Sequence, residues 1–86
     1  MHWLYILRCA DDSLYIGETN DVARRVAAHN EGRSAFTSTR RPVSLAYQET
    51  FATRSLALAR ERQLKTWSRA KKEALVIGDL AALKRL

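Results

Sequence analysis

The sequence predicts an α/β fold of the α+β kind: a small three-stranded antiparallel sheet flanked by helices, in the order β-β-α-β-α-α. Three observations point there. Two stretches dense in aromatic and aliphatic residues, Trp3–Cys9 and Leu14–Thr19, are separated only by Ala10-Asp11-Asp12-Ser13. So short a connection joins antiparallel neighbours. Val43, Leu45 and Tyr47 alternate with the smaller or polar Ser44, Ala46 and Gln48, which is the period of a strand. Segments between and after these strands begin behind Asp, Thr or Ser, side chains that accept hydrogen bonds from first-turn amides.

Taken in order, Trp3–Cys9 is the first strand, and Asp and Ser fold the turn after it by bonding their own backbone. Leu14–Thr19 is the second strand. Thr19, Asn20 and Asp21 offer N-caps, with Asp21 suited to the positive end of a helix running to about Asn30. Gly32 is the expected stop. Arg33–Pro42 is polar, basic and without period, and reads as a loop. Val43–Phe51 is the third strand. Thr53 caps a helix to about Trp67, and Ser68 caps another to about Ile77. Gly78-Asp79 breaks that helix before a short final one.

The length of 86 residues supports a single domain, residues 1–86, with no repeat or linker. A hydrophobic content of 47% with 3 Gly and 1 Pro argues for a folded chain. Fifteen Lys and Arg against 9 Asp and Glu leave a formal charge of +6, which makes polyanions the natural partners. One cysteine, Cys9, excludes an internal disulfide, and with 2 His it falls short of a structural zinc cage. This fits a reducing, cytoplasmic setting. The first eight residues lack the basic and apolar regions of a signal peptide, and no stretch has the length of a membrane span.

The chemistry-bearing residues fall in three places. Tyr5 and Tyr15 lie on the adjoining hairpin strands. Alternation puts Trp3, Tyr5, Leu7 and Cys9 on one face of the first strand, and Tyr15, Gly17 and Thr19 on one face of the second. Arg25 and His29 are four apart on the first helix, side by side and flanking the stripe of Val22 and Val26. A guanidinium fork there suits phosphate. Glu61 falls at the edge of an apolar arc of Leu56, Ala57, Leu64 and Trp67, where a carboxylate can hold a divalent cation beside a phosphate. Arg60 falls inside that arc, and its stem is expected to snorkel outward. From Arg54 to Lys72 there are seven Lys and Arg against one Glu.

Trp3-Leu4-Tyr5 and Tyr15-Ile16-Gly17 resemble the two motifs of the GIY-YIG nucleases, the first keeping only its final tyrosine and the second intact. Arg25 stands ten residues after Tyr15 and His29 four further on, as in that family. Leu58–Lys65 resembles the helix bearing its metal-binding glutamate, at Glu61. Arg40-Arg41-Pro42 and Trp67–Glu73 are similar to the bacterial branch of lone GIY-YIG domains. The chain departs from many relatives in having no asparagine after the metal helix.

The resemblance covers nearly the whole chain and implies phosphodiester hydrolysis with one divalent ion, Mg²⁺ or Mn²⁺. It implies Tyr5, Tyr15, Arg25, His29 and Glu61 as catalytic residues, with Glu61 as the metal ligand and Tyr5 favoured as base. An ordinary tyrosine has a pKa of about 10, so Arg25, the ion and His29 are expected to lower it. Gly17, Arg24, Arg40, Arg41, Lys65, Arg69, Lys71 and Lys72 are expected to contact nucleic acid: DNA first, with RNA as the other choice. No membrane and no obligate protein partner are expected. Selection of DNA structure over sequence, and a role in repair or recombination, go with this reading. The alternatives are a non-catalytic nucleic-acid-binding module of the same fold and a basic protein–protein adaptor.

Overall fold

The computed structural model describes residues 1–85. The elements are β1 (His2–Arg8), β2 (Leu14–Thr19), α1 (Val22–Asn30), β3 (Ser44–Phe51), α2 (Arg54–Lys65), α3 (Arg69–Ile77) and α4 (Leu80–Arg85). They form a three-stranded antiparallel sheet in the order β2-β1-β3, with helices on both faces. Among the described residues no helix is long and apolar enough to cross a membrane.

The helix starts are fixed by local chemistry. Asp21, Thr53 and Ser68 each accept a hydrogen bond from the third residue after them, so an otherwise orphaned amide is satisfied at the head of α1, α2 and α3. Gly78 ends α3 in the left-handed region at φ 75°, a conformation that costs a residue with a Cβ about 1–2 kcal/mol.

β1 is the middle strand, and Leu4, Tyr5, Ile6 and Leu7 are all buried in succession. Each face of the strand feeds a different core. Leu4 and Ile6 join Ile16 of β2 and Leu64 of α2, with Trp67, Leu75 and Val76 packed against them. Tyr5 and Leu7 point the other way and join Cys9 and Val43, with Tyr15 and Val26 of α1 alongside. Thus α2 and α3 cover one face and α1 the other. A register shift between Ile6 and Leu7 lets Ala46 bulge out of β3.

Two expectations about α2 are corrected. Leu56 does not belong to the buried arc and is exposed, lying one position, hence about 100° of rotation, from the buried Ala57. Arg60 does not snorkel outward. Its Nε donates to the Glu49 carboxylate of β3 at 3.0 Å, its Nη1 donates to Gln63 at 2.8 Å, and its guanidinium lies near the Trp67 ring. Tyr47 also donates to Glu49, and burial together with that neighbouring carboxylate pushes the Tyr47 phenol up to about 12.

Across the hairpin end, Arg8 makes a forked pair with Glu73 of α3, at 2.7 and 2.6 Å. Arg69 joins Glu73 and Asp12 in the same network. This ties the β1–β2 turn to α3, and Arg8 holds the Glu73 carboxyl below its usual range.

Leu64 is the apolar link between α2 and the sheet and is completely buried. Leu64→Ala should cost about 2–5 kcal/mol. Urea unfolding should show the midpoint fall with an unchanged slope; a midpoint within error of the native one would mean the two layers are not held together here.

Candidate active site

The site is organised on the face of the sheet that meets α1. In the β1–β2 register Tyr5 lies opposite Gly17, and Leu7 opposite Tyr15. The Tyr5 ring leans across Gly17: a Cβ there would fall 2.5 Å from the phenol oxygen and 2.7 Å from the carbon bearing it. Gly17 was expected to touch nucleic acid, but it is buried under this ring. It supplies the space in which the hydroxyl sits.

The Tyr5 hydroxyl, on a residue only 1% exposed, has two partners from α1. Arg25 Nε donates to it at 3.3 Å, and His29 Nε2 lies 3.0 Å away. Arg25 and His29 are one helical turn apart, so one face of α1 delivers both to the same oxygen. The far ring nitrogen, Nδ1, is 2.7 Å from the hydroxyl of Thr37, which is completely buried. Arginine only donates, and a neutral imidazole has one donor and one acceptor. A single direction therefore satisfies every group: Arg25 donates to Tyr5, Tyr5 donates to His29 Nε2, and His29 Nδ1–H donates to Thr37. Tyr15 packs its ring against the imidazole edge-on, with centroids 4.8 Å apart.

His29 is thus not at a wet rim. It is 1% exposed, and a buried imidazole is tolerable because both its nitrogens have partners. Burial, helped by the charge of Arg25, pushes its pKa below 6.5 and keeps it neutral. Tyr5 departs from the expectation of a lowered pKa. Burial raises it, the hydrogen bond from Arg25 offsets only part of that, and Tyr15 and the Glu61 carboxylate push it further up.

Glu61 comes from α2, on the other side of the sheet, yet its charge is felt at the Tyr5 hydroxyl. Its side chain is 16% exposed and pairs with Lys65 at 3.2 Å. Among the described residues no three His, Cys, Asp or Glu side chains cluster as a ready metal cage. One half-sheltered carboxylate fits instead a Mg²⁺-class ion, which is commonly held by one or two carboxylates together with water and substrate phosphate.

The basic residues divide into two groups. Arg24 is exposed, Lys65 is exposed apart from its pair with Glu61, and Lys71 lies over the Trp67 ring at 4.2 Å. Lys72 has no ion pair or side-chain hydrogen bond among the described residues. Others are occupied. Arg69 donates to the Asp12 carbonyl at 2.5 Å, Arg40 to Asp11 at 3.1 Å, and Arg41 to the carbonyls of Ser38 and Asn30 at 2.9 and 3.2 Å. Arg40 and Arg41 fold the segment between Arg33 and Pro42 onto the body, and that segment carries Thr37. Sequence reasoning missed Thr37, because one threonine in a polar stretch has no period or motif to mark it.

Two predictions follow from this geometry. Gly17→Ala must displace the Tyr5 ring and break its bond to His29, at about 1–3 kcal/mol of overpacking. The imidazole ¹⁵N shifts of His29 should move while the circular dichroism stays native; unmoved shifts would show that the ring does not depend on Gly17. For pH the sign is set by a lowered folded value. Above 6.5 both states leave His29 neutral; below it the unfolded chain takes the proton first. Stability should therefore decline as pH falls below 6.5 towards the folded value, and His29→Gln should lack that decline in melting temperature. A native protein whose melting is flat over this window would contradict a neutral buried His29.

The family model of the GIY-YIG catalytic domain matches residues 1–74. A UPF0213 protein of Bacillus pumilus is 49% identical over 76 residues, covering 87% of this chain and 78% of the relative. A UPF0213 protein of Staphylococcus saprophyticus is 50% identical over 76 residues, covering 87% and 93%. The solution structure of a UPF0213 protein from Bacillus halodurans is similar with a TM-score of 0.58 at 41% identity, covering 87% of this chain and 81% of that one. The solution structure of an E. faecalis protein matches with a TM-score of 0.62 at 38% identity, covering 90% and 83%. On this match and these relatives, the chain belongs to the GIY-YIG catalytic-domain family, a superfamily of endonucleases, alongside the small bacterial UPF0213 proteins.

Proposed function

We propose that the protein is a divalent-metal-dependent endonuclease that hydrolyses phosphodiester bonds in DNA and selects structure over sequence. The observation that carries this reading is the meeting of Arg25 Nε and His29 Nε2 at the Tyr5 hydroxyl, 3.3 and 3.0 Å from its oxygen. A relay of this kind moves a proton while a guanidinium waits for an anion. Glu61 is the residue that would ligate the cation, of the Mg²⁺ or Mn²⁺ class, which when bound polarises the scissile phosphate and stabilises the leaving 3′ oxygen.

The chain's own residues do the rest. Arg25 is fixed by its Nε on Tyr5, which leaves the fork end of the guanidinium to hold a phosphate oxygen and offset the charge gathered in the transition state. Tyr5 is a poor free base because burial raises its pKa. It acts as a relay: it takes a proton from the attacking water as its own hydroxyl proton passes to His29 Nε2. Thr37 keeps Nε2 unprotonated by holding the proton on Nδ1. Tyr15 packs the imidazole in place. Arg24, Lys65, Lys71 and Lys72 hold the phosphate backbone without reading bases, which suits a function in repair or recombination.

The test is cleavage of labelled duplex, single-stranded and branched DNA with Mg²⁺ or Mn²⁺, beside an EDTA control. Arg25→Ala and Glu61→Ala should abolish cleavage with the fold intact. Tyr5→Phe should lose roughly 10²–10⁴-fold in rate, the usual worth of a positioned proton-transfer group. Activity that survives Glu61→Ala would overturn the reading. Salt-sensitive binding with no cleavage of any substrate would leave a binding module of the same fold.

A further inference from the structure

An exposed aromatic ring lies beside this cluster and the chemistry above does not use it. Phe36, in the turn between α1 and β3, is 40% exposed. Its ring centroid is 5.6 Å from that of Tyr15. The guanidinium of Arg40 lies 4.2 Å over it, and Arg40 is itself held by Asp11 and by the Phe36 carbonyl. The ring is thus fixed before any ligand arrives, and little rotamer freedom remains to be lost on contact.

Phe36 and Tyr15 line a cleft of about 220 Å³ at the outer edge of β2, closed on its other side by Lys65 and Lys72. β2 is an edge strand of the sheet, so this side of it is not covered by another strand. The cleft abuts the candidate active site at two points: Tyr15 packs on His29, and Lys65 pairs with Glu61. An aromatic platform flanked by two lysines has the chemistry of a nucleotide subsite. Bases stack on aromatic rings whatever their identity, and ammonium groups hold the phosphates on either side.

We propose that this cleft is a stacking subsite for one unpaired DNA base next to the scissile phosphate. Arg40 covers one face of the Phe36 ring, so the base lies against the cleft side of Phe36 and the edge of Tyr15, and Lys65 and Lys72 hold the flanking phosphates. A paired base cannot leave its stack to enter without a cost of a few kcal/mol, so overhangs, flaps and bulges are the favoured substrates. The proposal rests on the nuclease reading for its orientation but not for its measurement, because stacking needs no cleavage.

The test is equilibrium binding in EDTA. Fluorescently labelled duplexes with a short single-stranded overhang are compared with blunt duplexes of equal charge, using the native protein, Phe36→Leu, Phe36→Tyr and Lys72→Ala. The native protein should prefer the overhang. Phe36→Leu should bind it roughly tenfold more weakly, Phe36→Tyr should bind it as the native protein does, and Lys72→Ala should lower the salt slope by about one. A 2-aminopurine placed next to the junction should be quenched by the native protein and not by Phe36→Leu. Equal binding of the overhang by native and Phe36→Leu proteins, with native circular dichroism in both, would overturn the subsite even if the protein cleaves DNA. A Phe36 effect in a protein that never cleaves would keep the subsite and remove the nuclease.

Discussion

The arrangement depends on one buried hydroxyl. The Tyr5 oxygen sits inside the protein with an arginine on one side and an imidazole on the other, and each neighbour is explained by it. Gly17 lacks a side chain because the phenol lies across its Cα. Arg25 and His29 are one turn apart because both must reach the same atom. Thr37 is buried because the imidazole that accepts from Tyr5 needs an acceptor for its other nitrogen. A buried polar group without partners costs about 1–3 kcal/mol, so the network holds together only when complete. That constraint reaches from the middle strand through α1 to the turn before β3.

The surplus of positive charge has a second meaning once the partners are known. Arg8, Arg40, Arg54, Arg60 and Arg69 all meet carboxylates. Most of these pairs are exposed enough that each contributes at most about 1 kcal/mol. Their geometric effect is larger than their energy. The Arg8–Glu73–Arg69–Asp12 network joins the hairpin turn to α3, and Arg40 and Arg41 pin the turn that carries Phe36 and Thr37. The lysines of α2 and α3 are left nearer the cleft at β2, which Lys65 and Lys72 line. In the arginine pairs the planar guanidinium fork fixes one element against another.

Much of this was legible in the sequence because it is local. Asp21, Thr53 and Ser68 cap α1, α2 and α3 as their spacing predicts, since a cap depends on three consecutive residues. The fourth helix follows Gly78 for the same reason. The tyrosine pair, Arg25 and His29 were visible as periodicity and motif. Thr37 and Phe36 were not, because their roles arise from contacts with α1 and β2 that the chain reaches only after folding. The burial of His29 and the direction of the Tyr5 shift were hidden for a related reason. Helical spacing says that Arg25 and His29 share a face, but not how deep that face sits. Arg60 was misread because its partner, Glu49, lies on another element.

Depth also decides how the proton can move. Burial raises Tyr5 and lowers His29, so both are neutral at rest and share one hydrogen bond. Were that proton to move ahead of the one from water, it would leave two charges in a sheltered place, which is costly unless each has a counterpart. Arg25 is the counterpart for the phenolate. Glu61 opposes it, because its carboxylate is among the groups that raise Tyr5. Any cation that neutralised Glu61 would remove that opposition, and by linkage a phenolate at Tyr5 would strengthen the hold on the cation by the same factor. Lys65 already pairs with Glu61, but its ammonium is over half exposed and screened by water. Through Glu61, the last and smallest of the causes acting on Tyr5, a loss of charge would lower the proton affinity of the hydroxyl rather than raise it.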